Sequence, residues 1–347
     1  MRIAVVTSDV PFVEGGHRVI ARALVAALQE AGHRAELFTT PQNRFGRQVS
    51  AYVATWLTDV QLTGDGATVD QVISLRFPSY AVRHPRHVVW LNHRMREYYD
   101  LWEQFRPQLG PRGKLVEGTR RFLLHRMDRA LLSRRTVYAQ SETIRQRLQR
   151  WGGIEAAVLY PPPPQRSYRC DAYDGSILAV GRLQPLKRVD LLLRAAALSG
   201  GWSVRLAGVG PQEAELRALA DELGLGERTE FLGELNTDEL VAEYARCSAV
   251  YFGTKAEDYG MVTLEAFTSA KPVVTCFDSG GPAEQVEDEV TGFIVDPDPE
   301  SVAEALTRLA DDRALAEKMG SAATAYAAQH TWPLTVDRLL GVFRPSV

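Results

Sequence analysis

Ile177-Leu178-Ala179-Val180-Gly181-Arg182-Leu183, then Gln184-Pro185-Leu186-Lys187-Arg188, then an apolar-periodic run over 189–197, reads as a strand, a glycine turn and a helix. A short apolar run bounded by Gly and Pro fits a strand buried on both faces. A helix directly after it starts a βα unit of a parallel sheet. The same alternation continues in both directions. Strands are expected at 3–6, 35–38, 72–75, 88–90, 137–139 and 158–159, and again at 203–206, 229–231, 250–252, 272–276 and 292–295. A helix at 17–30 ends at Gly32, the polar run 43–66 reads as a loop with a helix in it, and 301–326 reads as two helices. Strands alternating with helices along the whole chain imply an α/β protein with parallel sheets covered on both faces.

The 347 residues suffice for two domains. Pro161-Pro162-Pro163-Pro164 marks the boundary, because consecutive prolines hold an extended conformation and end the strand before them. This predicts domains at 1–164 and 165–330, with 331–347 as a closing element.

Hydrophobic content of 45% and charged content of 24% are those of a globular enzyme. The first residues read as a strand and not a signal peptide, and no apolar run is long enough to span a bilayer. Cys170, Cys247 and Cys276 are odd in number and far apart, which suggests neither a disulfide framework nor a zinc site. A cytoplasmic protein with reduced thiols is expected. The net charge of −3 conceals an asymmetry: residues 1–165 carry 23 Lys and Arg against 14 Asp and Glu, and the remainder carries 17 against 29. The basic residues concentrate at 112–135, with Phe122, Leu123, Leu124, Met127, Leu131 and Leu132 among them at helical spacing. Such a helix either packs on the core with solvated arginines or rests on an anionic membrane surface. No nucleic-acid-binding module accompanies the charge.

Four groups of residues carry candidate chemistry. Arg182 and Lys187 follow a strand, where open α/β sheets bind ligands; a guanidinium fork with an ammonium suits a diphosphate, although a charged surface loop has the same composition. Glu257 and Glu265, eight residues apart, straddle Tyr259-Gly260 and a helix expected over 262–270, which places Glu265 about two turns in. A helix start at Gly260, Met261 and Val262 offers backbone N–H groups to an anion, and the flanking carboxylates can accept from sugar hydroxyls. The plainer reading is an exposed helix with ordinary acids. His93 follows the 88–90 strand and could meet a sugar or act structurally; His17, Asp9 and Glu14 are weaker candidates. Gly208-Val209-Gly210 is similar to a dinucleotide loop, but the last Gly of that fingerprint is absent.

Taken together these motifs resemble the retaining glycosyltransferases of family 4, of GT-B fold. The family's Glu-x7-Glu pattern matches Glu257 and Glu265, and its Gly-Arg-Leu…Lys pattern matches Gly181, Arg182, Leu183 and Lys187. Glu14-Gly15-Gly16-His17-Arg18 is similar to its first glycine loop, and Trp90-Leu91-Asn92-His93 to its histidine loop. Asp278-Ser279-Gly280-Gly281-Pro282 also falls in order. Tyr259 stands where the family usually has Phe.

The resemblance implies two Rossmann-like doubly wound domains facing across a deep cleft, with the last helix crossing back to the first. It implies an N-terminal acceptor domain, a C-terminal nucleotide-sugar domain and transfer of a hexosyl unit from a UDP- or GDP-hexose with retention, needing neither metal nor cofactor. Arg182 and Lys187 would neutralise the diphosphate, Glu265 would accept from ribose, Glu257 would touch the transferred sugar, and Gly15 and Gly16 would admit phosphate or acceptor. His93 would act near the sugar. The acceptor is a glycan, a lipid-linked molecule or a small molecule. A nucleotide-sugar epimerase, a phosphorylase on the same fold and a non-catalytic sugar-nucleotide-binding protein remain alternatives.

Overall fold

The computed structural model describes residues 1–9, 15–42 and 47–343. The chain divides into two compact units, Met1–Pro161 with Trp332–Val347, and Pro162–Thr331.

The first unit is built on six parallel strands: β1 (Arg2–Asp9), β2 (Arg34–Pro41), β3 (Gln71–Ser74), β4 (His87–Leu91), β5 (Thr136–Ala139) and β6 (Ala157–Val158), in the order β2-β1-β3-β4-β5-β6. β3 and β4 are buried throughout, as expected for strands covered on both faces. Helix Gly16–Glu30 buries Ile20, Ala21, Leu24, Ala27 and Leu28, a stripe at helical spacing. Helix Gln48–Leu57 accounts for order inside the polar run 43–66. The closing helix, Trp332–Gly341, packs on this unit: Trp332 meets Trp90 edge-on at 6.3 Å, and Gln71 Nε2 donates to the Leu339 carbonyl at 2.9 Å.

The second unit has six parallel strands in the order β12-β11-β10-β7-β8-β9. They are β7 (Ser176–Val180), β8 (Ser203–Ala207), β9 (Thr229–Gly233), β10 (Ala249–Tyr251), β11 (Val273–Cys276) and β12 (Gly292–Val295). Its core sets Leu191, Leu192, Ala195 and Ala196 of helix Val189–Leu198 against Val302, Ala305, Leu306 and Leu309 of helix Pro299–Asp311.

Helix Pro111–Leu132 departs from its apolar pattern. The buried positions are Glu117, Leu124, Asp128 and Leu132, so two of four are acids, while Leu115, Val116, Phe122 and Leu123 are exposed. The reason is a polar lock. Tyr80 and Tyr99 hydroxyls donate to the two Asp128 carboxylate oxygens at 2.7 and 2.6 Å, and the Tyr98 hydroxyl donates to Glu117 at 2.6 Å. Burial pushes the Asp128 carboxyl above the usual range, opposed by Arg94 and the tyrosine hydrogen bonds. Buried carboxylates with such partners fix one orientation of the helix, and the apolar residues on the opposite face are left outside. Asp128→Ala is expected to lower stability by about 3 kcal/mol, since it strands two buried hydroxyls; urea unfolding of the variant checks this.

Candidate functional site

In the second sheet the strand order reverses at β7, which is flanked by β8 and β10. The carboxyl ends of such a pair form the crevice where open α/β sheets take ligands. Gly181 follows β7 with φ +145, and its N–H donates to Ala207 at 2.9 Å. The chain then makes a short turn, Pro185–Lys187, passes through Arg188 in the left-handed region (φ 49) and enters helix Val189–Leu198. This path delivers the Lys187 ammonium to Glu257: Nζ donates to Oε2 at 2.7 Å, with the two side chains 16% and 28% exposed. Two motifs 70 residues apart in sequence therefore meet in one ion pair.

Glu257 is held by its backbone. Its N–H donates to Ser279 at 2.7 Å, its carbonyl accepts from Gly281 at 3.1 Å, and Lys255 N–H donates to Leu186 at 2.8 Å. A side chain at Gly280 would bring its Cβ within 2.5 Å of the Glu257 carbonyl oxygen, so the glycines after β11 are what permits this approach. Arg188 and Asp278 close the arrangement with two parallel bonds of 2.6 and 2.5 Å. The hydrogen bonds from Arg188 hold the Asp278 carboxyl below the usual carboxylate range.

The helix after Glu257 runs Met261–Thr268, one residue earlier than the sequence pattern suggests, from Gly260 at φ 83. No side chain caps its start, and its first turn carries no acid, so the N–H groups beside Glu257 keep the polarity that favours an anion. Even with this earlier start Glu265 is the fifth helical residue, a little over one turn in and not two. It is also not an exposed acid: it is 2% exposed, and its oxygens accept from Arg166 at 2.6 Å, Tyr168 at 3.1 Å and Tyr244 at 2.9 Å. Burial raises its carboxyl above the usual range, and Arg166 works against that. Nothing in the local sequence around Glu265 signals Arg166 or Tyr168, which lie nearly a hundred residues upstream.

Arg182 is exposed. Gly208 and Gly210 have a structural task. A Cβ at Gly208 would sit 2.0 Å from the Gly181 oxygen, and one at Gly210 2.2 Å from the Leu183 oxygen, so these glycines let the β8 loop press on the Gly181 loop. The helix that follows, Glu213–Glu222, begins with two acids, which opposes a phosphate there. Among the described residues no group of three or more His, Cys, Asp or Glu is placed to hold a metal ion.

In the first unit, Gly15 caps helix Gly16–Glu30 without a side-chain bond. His93 follows β4, and its Nδ1 lies 2.6 Å from the Arg94 carbonyl, which fixes the proton on that nitrogen in the neutral ring. Asp9 pairs with Arg18 at 3.3 Å, while Glu14 lies outside the described residues. Gly181, Lys187, Glu257, Gly260, Met261 and Val262 are thus gathered in the second unit; Gly15, Gly16 and His93 belong to the first.

Residues 170–326 match the family model described as glycosyl transferases group 1. Two D-inositol 3-phosphate glycosyltransferases are similar. The one from Mycolicibacterium smegmatis is 38% identical over 178 residues, 49% of this chain and 40% of the relative. The one from Acidothermus cellulolyticus is 33% identical over 213 residues, 56% of this chain and 47% of the relative. The matched stretch thus spans less than half the length of these relatives. Among solved structures, the sucrose-phosphate synthase of Thermosynechococcus elongatus superposes with a TM-score of 0.76 at 19% identity over 98% of both chains. The Anabaena protein HepE in complex with UDP and glucose gives 0.70 at 18% identity, again over 98% of both. These likenesses carry the fold, which is GT-B.

The Arg188–Asp278 clamp has a defined pH window. A carboxyl depressed in the folded state stabilises the fold above its unfolded value, near pH 4, and loses that contribution as pH falls through the lower folded value. Asp278→Asn is expected to cost about 1 kcal/mol at pH 7. Parallel unfolding curves should show the gap between variant and parent narrowing below about pH 4.

Proposed function

We propose that this chain, whose residues 170–326 match the model of the group 1 glycosyl transferases, moves a hexosyl unit from a UDP- or GDP-linked donor to an acceptor hydroxyl with retention. The observation that carries the reading is the Lys187–Glu257 pair at the strand-order reversal of the second sheet, beside an uncapped helix start. Lys187, with Arg182 nearby in sequence, meets the diphosphate, where negative charge grows as the sugar leaves. Fixed cations at that place stabilise the transition state directly and stand in for a divalent ion. Glu257 turns to the sugar hydroxyls, and the N–H groups at Met261 and Val262 add hydrogen bonds. The bond from the anomeric carbon to the diphosphate breaks, the acceptor oxygen bonds to that carbon on the same face, and the acceptor proton passes to the departing diphosphate. Glu265, locked to Arg166, positions the helix and accepts from the ribose hydroxyls through its remaining acceptor capacity.

The relatives named for D-inositol 3-phosphate support a phosphorylated polyol as acceptor class. We place the enzyme in the cytoplasm, where its three free cysteines stay reduced. No described helix is long and apolar enough to cross a membrane. A peripheral contact with an anionic surface is supported by helix Pro111–Leu132: both its acids are buried, and its exposed face sets Leu115, Phe122 and Leu123 among Arg112, Lys114, Arg126 and Arg129.

Lys187→Ala and Glu257→Ala are each expected to lower transfer on the order of a hundredfold while circular dichroism is unchanged. A panel of UDP-, GDP-, ADP- and dTDP-sugars, assayed with EDTA, reads this out. Near-parent turnover in folded Glu257→Ala, or activity abolished by EDTA, would overturn the corresponding assignment. For the surface contact, sedimentation with phosphatidylglycerol vesicles should fall at least about tenfold in the double variant Phe122→Asp, Leu123→Asp, and unchanged sedimentation removes that role.

A further inference from the structure

Lys271 follows helix Met261–Thr268 by three residues and is fully buried. A lysine is rarely so placed, because its ammonium gives up water and needs partners in return. Its Nζ donates to the Cys170 Sγ at 3.1 Å and to the Ala172 carbonyl, and lies 3.8 Å from the centroid of the Tyr173 ring. Among the described residues these are its polar partners, and none of them is a carboxylate. Burial, then Cys170, push the Tyr173 phenol up, and its hydroxyl donates to the Ala270 carbonyl at 2.7 Å, so the ring stays neutral. The sulfur is left as the atom that can carry the matching negative charge.

Cys170 is exposed, so reagents in water reach the sulfur that the buried ammonium touches. An ammonium beside a sulfur favours the thiolate, the form that attacks electrophiles and peroxides. Cys247 and Cys276 are the contrast: both are buried, and burial pushes their thiols up to about 12 and about 11.

The two groups meet because both stretches of backbone are held. The Asp171 and Ala172 N–H groups donate to the Ala245 carbonyl at 2.8 and 3.1 Å, and Asp174 N–H donates to Arg246 at 3.0 Å. Opposite them, Ala270 turns the chain through the left-handed region (φ 54), and Lys271 N–H donates to Ala266 at 2.9 Å. Gly320 of helix Arg313–Ala327 lets this turn approach, since a Cβ there would lie 2.1 Å from the Ala270 oxygen and 2.7 Å from the Tyr173 hydroxyl. A sulfur and a nitrogen 3.1 Å apart need only a small approach to share one oxygen atom.

We propose that Cys170 and Lys271 are a redox pair, between which hydrogen peroxide inserts one oxygen to form a reversible S–O–N bridge. The sulfur first attacks one peroxide oxygen; the O–O bond breaks, Cys170 becomes a sulfenic acid, and the peroxide is reduced to water. The Lys271 nitrogen, its extra proton lost to solvent, then bonds to the sulfenic oxygen. One hydrogen from nitrogen and one from oxygen leave with two electrons to a second peroxide, which becomes two waters. The bridge thus adds one oxygen and removes two hydrogens. Two equivalents of a dithiol restore thiol and amine and release the oxygen as water. In a reducing compartment the pair stays open until peroxide rises. Once closed, it ties the end of helix Met261–Thr268 to the segment whose Arg166 and Tyr168 hold Glu265. The pair needs no substrate, so it stands whatever the chain transfers.

The full chain is treated with hydrogen peroxide, digested and read by mass spectrometry. In the parent the peptides of Cys170 and Lys271 should be joined, with one oxygen gained and two hydrogens lost, and dithiothreitol should separate them. The melting temperature should rise by about 5 °C on oxidation, because the bridge closes a long loop of the unfolded chain, and return on reduction. Cys170→Ser, a change at an exposed position, should show neither effect. Lys271→Met should stop at the sulfenic acid and reach it at least about tenfold more slowly. The parent and Cys170→Ser decide the matter even where Lys271→Met fails to fold. Joined peptides that lack the added oxygen would mean a disulfide to Cys247 or Cys276 and overturn the bridge. Cys170 fully oxidised with Lys271 unlinked, or Cys170 untouched by peroxide, overturns it as well.

Discussion

The contact between Lys187 and Glu257 is the constraint on which the second unit's crevice depends. Two charges 2.7 Å apart and partly shielded from water gain from each other only if their backbones cannot drift. Three loops, after β7, β10 and β11, are therefore joined by backbone hydrogen bonds, by the Arg188–Asp278 fork and by glycines that let carbonyls approach closely. Each partner also has a second use. An ammonium that satisfies a carboxylate can satisfy a phosphate, and a carboxylate that accepts from an ammonium can accept from a hydroxyl. The pair keeps both groups oriented at little cost, so a ligand matching both meets a site that is already arranged.

The two units solve the same problem differently. Each places its polar residues where strand order reverses, since only there do neighbouring loops diverge and open a crevice. In the second unit two cations near the reversal are each partnered by an acid, Lys187 by Glu257 and Arg188 by Asp278. In the first, Arg18 is paired with Asp9, and Arg76 and His93 both act on the His17 imidazole. The charge asymmetry of the sequence thus reappears at the scale of single side chains.

Much of the fold was legible because it is local. Runs such as 177–180 and 88–90 can be little else than buried parallel strands once Gly and Pro bound them, and the helices fell where the periodicity placed them. Gly181, Lys187 and Glu257 were legible for the same reason: each follows a strand end. The failures are non-local. Helix Pro111–Leu132 has its apolar pattern on the wrong face because Asp128 and Glu117 answer to tyrosines at 80, 98 and 99, and periodicity counts such acids as surface. Gly208 and Gly210 looked like a phosphate loop, yet what they accommodate is backbone at Gly181 and Leu183. Arg76 gave no signal at all, since a single arginine after a strand is common and only burial distinguishes this one.

The bond between Arg166 and Glu265 bears on where the second unit can be cut from the chain. Similarity to the family begins at residue 170, beyond both Arg166 and Tyr168. A fragment started there would enclose the Glu265 carboxylate with Tyr244 as its one remaining hydrogen-bond donor of the three, and an uncompensated buried charge costs several kcal/mol. The segment just after the prolines is thus an internal counter-ion carrier for the second unit, and the smallest autonomous piece of that unit begins ahead of Arg166.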